Sequence, residues 1–244
     1  MSDNIVLIIG ASSDIGLDLI KSIDEECLIL AHYNNSDKKL LELSKSIKNK
    51  IIMLKADLSS EKDITSMMNS IEESYGIPNK IIHLAAVKFE NIRFKNVSWS
   101  DFQNEIDVGL KSLTIILNRF LPKLSKQKRG KVVVMLSSVV LTNVPPKALT
   151  QYTVVKYALL GLVRSLASEY ANRNIQINAI SPSMIETKFL RNIDEKLVEL
   201  NAYNHPLKRN AQVEDITPII QFLISKESNY MSGNNIPVTG GAAF

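Results

Sequence analysis

Tyr152 and Lys156 frame the run Tyr152-Thr-Val-Val-Lys156, and Ser138 lies a short way upstream. On a helix, side chains at i and i+4 share a face, so the phenol and the ammonium would stand one above the other. A cation beside a phenol favours phenolate and draws a tyrosine down from its ordinary pKa of about 10. Such a phenol can give a proton to a carbonyl oxygen as a hydride reaches the carbon, and recover it in the reverse reaction. A hydroxyl such as that of Ser138 can hold the same oxygen by hydrogen bond. A lone YxxxK spacing is common, so its weight depends on the elements that present it.

Those elements alternate. Ile5-Val-Leu-Ile-Ile9 is an all-apolar run, the pattern of a strand buried on both faces. Gly10-Ala-Ser-Ser-Asp-Ile-Gly16 follows it and opens an amphipathic helix that reaches about Ile23. Further strand patterns are Cys27–Ala31, Ile51–Lys55, Lys80–Leu84, Lys131–Leu136, Ile175–Ile180 and Asn235–Val238. Helical patterns occupy Asp37–Ile47, Glu61–Tyr75, Asp101–Leu124, Tyr152–Asn172 and Val213–Ser225. The alternation predicts an α/β fold, a single Rossmann domain over residues 1–244 with a doubly wound, mostly parallel sheet and helices on both faces. Residues 1–140 would mainly bind cofactor; residues 141–244 would supply the active-site helix, a substrate lid and oligomer contacts. Gly10–Gly16, Asn34, Asp57, Ala85, Ser138 and Ser181–Thr187 all follow strands, so they converge on the edge where such sheets bind ligands.

The first strand-to-helix turn has the chemistry of a phosphate site. Gly10 and Gly16 let backbone approach a pyrophosphate, and the helix start offers free N–H groups and partial positive charge. Ser12 and Ser13 can donate hydroxyls to phosphate or cap the helix. Asp14 stands where a glycine would be easier to place. Its carboxylate would repel a pyrophosphate unless it points away, and a helix-capping role is the expectation. The second strand ends in His32-Tyr-Asn-Asn-Ser36, with Asp37 beyond. An acid at that strand end would bind a ribose 2′-hydroxyl; none is in place. Asn34, Asn35 and Ser36 could instead bond a 2′-phosphate, with Lys38 or Lys39 near, which favours NADP(H) over NAD(H). A polar turn entering a helix capped by Ser36 is the plain alternative.

The 244 residues, 45% hydrophobic and 22% charged, suit one soluble globular domain with a large core. The net charge of +4 is spread rather than gathered into a stripe, which argues against nucleic acid. The densest run, Lys126-Gln-Lys-Arg-Gly-Lys131, reads as a solvated loop, or as a docking patch for an acidic partner such as a carrier protein. The run at Ile5 is too short for a signal or a span, so a cytoplasmic, membrane-free protein is expected. The single Cys27 reads as a buried strand residue. No metal-ligand cluster or Ser-His-Asp pattern appears, and His205 reads as a solvent-facing loop histidine.

Taken together, Gly10–Gly16, Asp57-Leu58, His83-Leu-Ala-Ala86, Ser138, Tyr152 with Lys156, Asn178-Ala-Ile-Ser-Pro182 with Thr187, and Val238-Thr-Gly-Gly241 resemble the short-chain dehydrogenase/reductase family along nearly the whole chain. The likeness is greatest to 3-oxoacyl-[acyl-carrier-protein] reductases. It implies a seven-stranded nucleotide-binding fold, a nicotinamide cofactor, and a homodimer or homotetramer built on long helices. It implies Tyr152 as proton donor, Lys156 on the nicotinamide ribose, and Ser138 orienting the substrate carbonyl, with Ser137 matching less well. Cofactor contacts would come from Gly10, Ser12, Ser13, Ile15 and Gly16 in the turn. Asp57 and Leu58 would meet the adenine, His83 and Ala85 the adenosine side, and Pro182, Ile185 and Thr187 the carboxamide side.

The chain departs from the family pattern at four places. Asparagines usually stand at His83 and Leu84, with glycine at Ala86; His83 is either a backbone contact to ribose or, the favoured reading, a packed strand-end histidine. Gly109 replaces a helix asparagine thought to hold a proton-relay water. Ser183 and Asp14 replace glycines. On the substrate side, Thr142–Pro146 would form one wall and Glu186–Pro206 a lid with Met184, Phe189, Leu190 and Tyr203 available. Such a pocket suits an acyl chain or modest ketone, and permits a keto-sugar. The function expected is NADP-dependent reduction of a small or carrier-bound carbonyl, a 3-oxoacyl group among the candidates. The alternatives are a keto-sugar reductase of glycan synthesis and a low-activity nucleotide-binding scaffold.

Overall fold

A computed structural model describes residues 4–36 and 38–244. Seven strands, β1 (Ile5–Ile9), β2 (Leu28–Tyr33), β3 (Lys50–Lys55), β4 (Lys80–His83), β5 (Gly130–Met135), β6 (Ile175–Pro182) and β7 (Asn235–Val238), form one sheet in the order β3-β2-β1-β4-β5-β6-β7. Every neighbouring pair is parallel. The order reverses at β1, between β2 and β4, and that switch point opens a crevice at the carboxyl ends of the strands. This is the single-domain doubly wound fold expected, parallel throughout.

The apolar run of β1 explains the layering. Successive side chains point to opposite faces. Ile5, Leu7 and Ile9 pack with α3 (Glu61–Ser74), α5 (Ser112–Gln127) and α6 (Thr150–Glu169) through Ile64, Met68, Phe120 and Leu159. Val6 and Ile8 pack with α1 (Asp14–Ser22), α2 (Lys38–Ser44) and α8 (Val213–Ile224) through Ile20, Leu40 and Ile220. Asp37, expected to open α2, lies outside the described residues.

Three differences from the sequence-based picture matter for the site. The long helix expected over Asp101–Leu124 is broken into α4 (Trp99–Glu105), a π turn over Ile106–Lys111, and α5. Such wide turns occur as single insertions and often mark functional places. The lid expected between Glu186 and Pro206 contains a helix, α7 (Glu195–Asn204), capped by Asp194, whose side chain accepts the Lys196 N–H. The basic run at Lys126–Lys131 is not one solvated loop: α5 runs to Gln127, and Lys131 is buried in β5 with Nζ donating to Ser228 Oγ at 2.9 Å. No helix among the described residues is long and apolar enough to cross a membrane.

Candidate active site

The turn between β1 and α1 is too tight for side chains at its glycines. Gly10 has φ +84°, and a Cβ there would lie 2.9 Å from Ala85 N; one at Gly16 would lie 2.6 Å from Ala11 O. Glycine lets the turn press against the end of β4 without strain. The helix cap is Ser13, not the Asp14 expected: its Oγ accepts the Gly16 N–H at 3.1 Å and donates to Gly10 O at 2.8 Å. The N–H groups of Asp14 and Ile15 find no acceptor among the described residues. Two unpaired donors at the positive end of α1 are what a pyrophosphate requires, so the turn fits a dinucleotide. His32, passed over as a site residue in the sequence, braces this turn. Its Nδ1 accepts the Gly10 N–H at 3.1 Å, which leaves Nε2–H to donate to Ala56 O at 3.1 Å.

Asp14 instead reaches the segment that follows β6. Its Oδ2 accepts the backbone N–H of Lys188 at 2.8 Å, and Lys39 Nζ stands 3.9 Å from Oδ1. Lys39 beside Lys188 pulls the Lys188 ammonium below its usual range, with Arg191 adding positive charge and Asp14 opposing. The repulsion that Asp14 would present to a phosphate is therefore offset by the cations around it. Asp14, Thr187, Lys188, Leu190, Arg191 and Val198 line an open cavity of about 630 Å³.

The other expected cofactor residues stand along the same edge. Asn34, Asn35 and Ser36 are exposed beyond β2. Asp57 Oδ1 accepts Ser59 N–H at 2.9 Å and Ser59 Oγ–H at 2.8 Å, a closed local turn, while Leu58 is buried. Ala85 lies under Gly10, Pro182 ends β6, and Thr187 Oγ1 donates to Ile185 O at 3.4 Å. His83 is fully buried at the end of β4.

On α6, Tyr152 and Lys156 share a face as their spacing requires. Lys156 is buried, and its Nζ lies 5.4 Å from the Tyr152 ring centroid while donating to Met135 O at 2.9 Å. One expectation fails here, and one is redirected. Of the two serines, Ser137 is the one whose hydroxyl acts on the phenol, drawing its pKa down. It sits directly beyond β5, whose exit fixes it, whereas the interval to Tyr152 passes through an irregular loop and gives no usable count. Nor is the phenol made acidic by the ammonium. Burial pushes Tyr152 up to about 12, the Ser137 hydroxyl works against that, and the Glu105 carboxylate adds to it. The ammonium lies over the ring and toward Met135, not at the hydroxyl. Lys156 is drawn down to about 8 by burial, with Glu105 opposing.

Glu105 and Phe89 were not singled out in the sequence. Glu105 ends α4 half-buried; burial raises its carboxyl and the Lys156 charge lowers it. Its one sequence signal is position, one turn before Gly109. Phe89 packs edge-on against Tyr152 at 5.1 Å and tilted by 42° against Phe189 at 5.3 Å, gathering three aromatic rings, the phenol among them. Nothing local in the sequence marks it. Tyr203, offered as a pocket residue, is 72% exposed with Lys208 Nζ 5.2 Å from its ring centroid, so it faces solvent. His205 is buried, not solvent-facing: Nδ1 accepts Leu207 N–H at 3.1 Å and Nε2 pairs with Thr239 O at 2.8 Å.

Residues 10–243 match the family model described as Enoyl-(Acyl carrier protein) reductase. The chain belongs to the short-chain dehydrogenase/reductase family. It is an NAD(P)-dependent short-chain oxidoreductase. It is 29% identical to a 3-oxoacyl-[acyl-carrier-protein] reductase of Buchnera aphidicola over 97% of this chain and 96% of that protein. A reductase of the same description from Staphylococcus aureus is 27% identical, over 96% of both. Among solved structures, levodione reductase superposes with a TM-score of 0.88 at 21% identity, covering 99% of this chain and 98% of that one.

Proposed function

We propose that this short-chain reductase uses NADP(H) to reduce a carbonyl carried as a 3-oxoacyl thioester, with Tyr152 as the proton donor. The observation that carries the reading is the meeting of Tyr152 and Lys156 on one face of α6 against Phe89, at the carboxyl edge that also holds the phosphate-type turn. A bound reduced nicotinamide would supply the hydride. The chain's own part is to orient and protonate. Ser137 is placed to hold the carbonyl oxygen, and the Tyr152 hydroxyl to give its proton as charge builds there. A phenol held near 12 stays protonated at working pH, which suits a donor. Lys156, buried and charged, is placed to stabilise the phenolate left behind and to reach a ribose hydroxyl. Phe89 and Phe189 would keep water from the reacting carbon and receive an acyl chain.

NADP(H) is favoured by Asn34, Asn35 and Ser36, exposed at the end of β2 with no acid among them, and by Lys39 on α2 near the turn. An acidic carrier protein is the partner we assign to the cationic surface that includes Lys126, Lys128 and Arg129, all exposed. A homodimer or homotetramer is the assembly we expect. The Asp14 carboxylate beside the phosphate-type turn, although cations surround it, favours a second reading, a nucleotide-binding relative with little turnover.

The test is NADPH oxidation with a 3-oxoacyl thioester beside a nucleotide-linked keto-sugar. Tyr152→Phe should bind NADPH as before and lose at least ~10²-fold in rate, the usual scale of acid–base catalysis. Near-normal turnover in that variant would refute Tyr152 as donor. NADPH binding with no oxidation by either substrate would favour the second reading.

A further inference from the structure

His83 is a second buried base behind Lys156. It ends β4 opposite Val134 of β5, one residue short of Met135, whose carbonyl takes the Lys156 ammonium. Ser112 Oγ donates to Val108 O at 2.6 Å, so that hydroxyl has spent its one proton. The 3.4 Å contact between His83 Nε2 and Ser112 Oγ must then run from imidazole N–H to the serine lone pair. The tautomer follows: Nε2 carries the hydrogen and Nδ1 is a bare acceptor. Nδ1 is buried and has no partner among the described residues, a condition folded proteins seldom leave unanswered.

The charges around this nitrogen point one way. Among the described residues, Lys156 and His32 are the groups whose charge acts on His83, and Glu105 from α4 acts on Lys156, whose Nζ lies 5.4 Å from the ring centroid of Tyr152 on its own helix. Burial and the Lys156 charge keep the imidazole neutral, so it can accept from an ammonium and not compete with it. Gly109, in the π turn beside Val155, offers no side chain for the purpose.

We propose that His83 Nδ1 is the acceptor that orients Lys156 in the proton path, across one buried water, in place of the side chain that Gly109 lacks. His83 is thus a positioning residue. The inference rests on the reductase reading of Lys156, but its first test needs no turnover.

Nitrogen-15 NMR of the whole chain, labelled at histidine, should show His83 with Nε2 protonated and Nδ1 bare from about pH 5 to about pH 9, since a neutral ring keeps one tautomer. The Nδ1 signal should move on Lys156→Met. A proton on Nδ1, or no response to that substitution, overturns the proposal even if the chain turns over no substrate. Kinetics give the second test. His83→Phe should keep its NADPH affinity and lose about tenfold in kcat, the rate equivalent of one hydrogen bond to a charge. The alkaline limb of kcat should also move to lower pH, because Lys156 sheds its proton more readily without the acceptor. His83→Asn, with a side-chain oxygen, should recover to within about threefold of wild type on the same scale. A folded His83→Phe enzyme with unchanged kcat and limb sinks the idea. If that variant does not fold, the wild-type and Lys156→Met spectra decide.

Discussion

Asp14 Oδ2 accepts the Lys188 N–H at 2.8 Å, joining the phosphate-type turn to the segment that follows β6. The two residues are far apart in sequence, so the bond pins a long surface excursion at its base. The contact is exposed, and a charge-assisted bond there holds about 1 kcal/mol, or roughly fivefold in the open population. Asp14→Ala should raise the rate of limited proteolysis within residues 188–204 by about that factor. Asp14→Asn keeps an acceptor oxygen and should stay near wild type. Equal cleavage in all three proteins would show that the bond does not restrain this segment.

Ser137 and Ser138 are separated by substitution. If the hydroxyl that acts on Tyr152 orients the carbonyl, Ser137→Ala should lose about 10²-fold or more in kcat, comparable to losing one oxyanion donor. Ser138→Ala should remain within a few-fold, roughly the scale of one neutral hydrogen bond. The reverse ranking would restore the serine that the sequence favoured.

Glu105 raises both Tyr152 and Lys156. Removing its charge should lower both, so phenol and ammonium would lose their protons earlier as pH climbs. For Glu105→Gln the alkaline limb of the reductase pH profile should therefore shift to lower pH. An unmoved limb would mean that solvent screens this carboxylate from the pair.

His32 and His83 are both held below the ordinary histidine pKa by burial, His83 at about 3. The unfolded chain takes up protons near pH 6.5 that the folded chain refuses. Stability is thus full above about pH 6.5 and falls as pH drops toward about 3. Urea midpoints should show a loss of roughly 2 kcal/mol from His83 alone between about pH 7.5 and about pH 5, and more with His32. A flat profile over that range would contradict the burial of these rings.

The layered sheet was legible because its strands announce themselves. Ile5–Ile9 and Asn235–Val238 begin and end where the apolar runs do, and Glu61 opens α3 behind Ser60, whose side chain accepts the Asp63 N–H. Spacing alone put Tyr152 and Lys156 on one face, but it says nothing of where an ammonium points, and Met135 O draws this one away from the hydroxyl. Helix α7 escaped notice because it buries no residue and leaves Leu197, Leu200 and Tyr203 in solvent. His205 is held by Thr239, near the far end of the chain, a partner no local pattern reveals. Phe89 matters only through Tyr152 and Phe189, which other segments deliver.

The π turn at Gly109 brings its backbone so near α6 that a Cβ would stand 2.9 Å from Val155 Cγ1. Valine is stiff at χ1 and cannot easily swing clear. An asparagine here, the residue that the family resemblance would lead one to expect, would collide with that methyl before it could serve the site. A smaller residue at position 155 would make room for that side chain, so what position 109 can hold depends on what stands at 155.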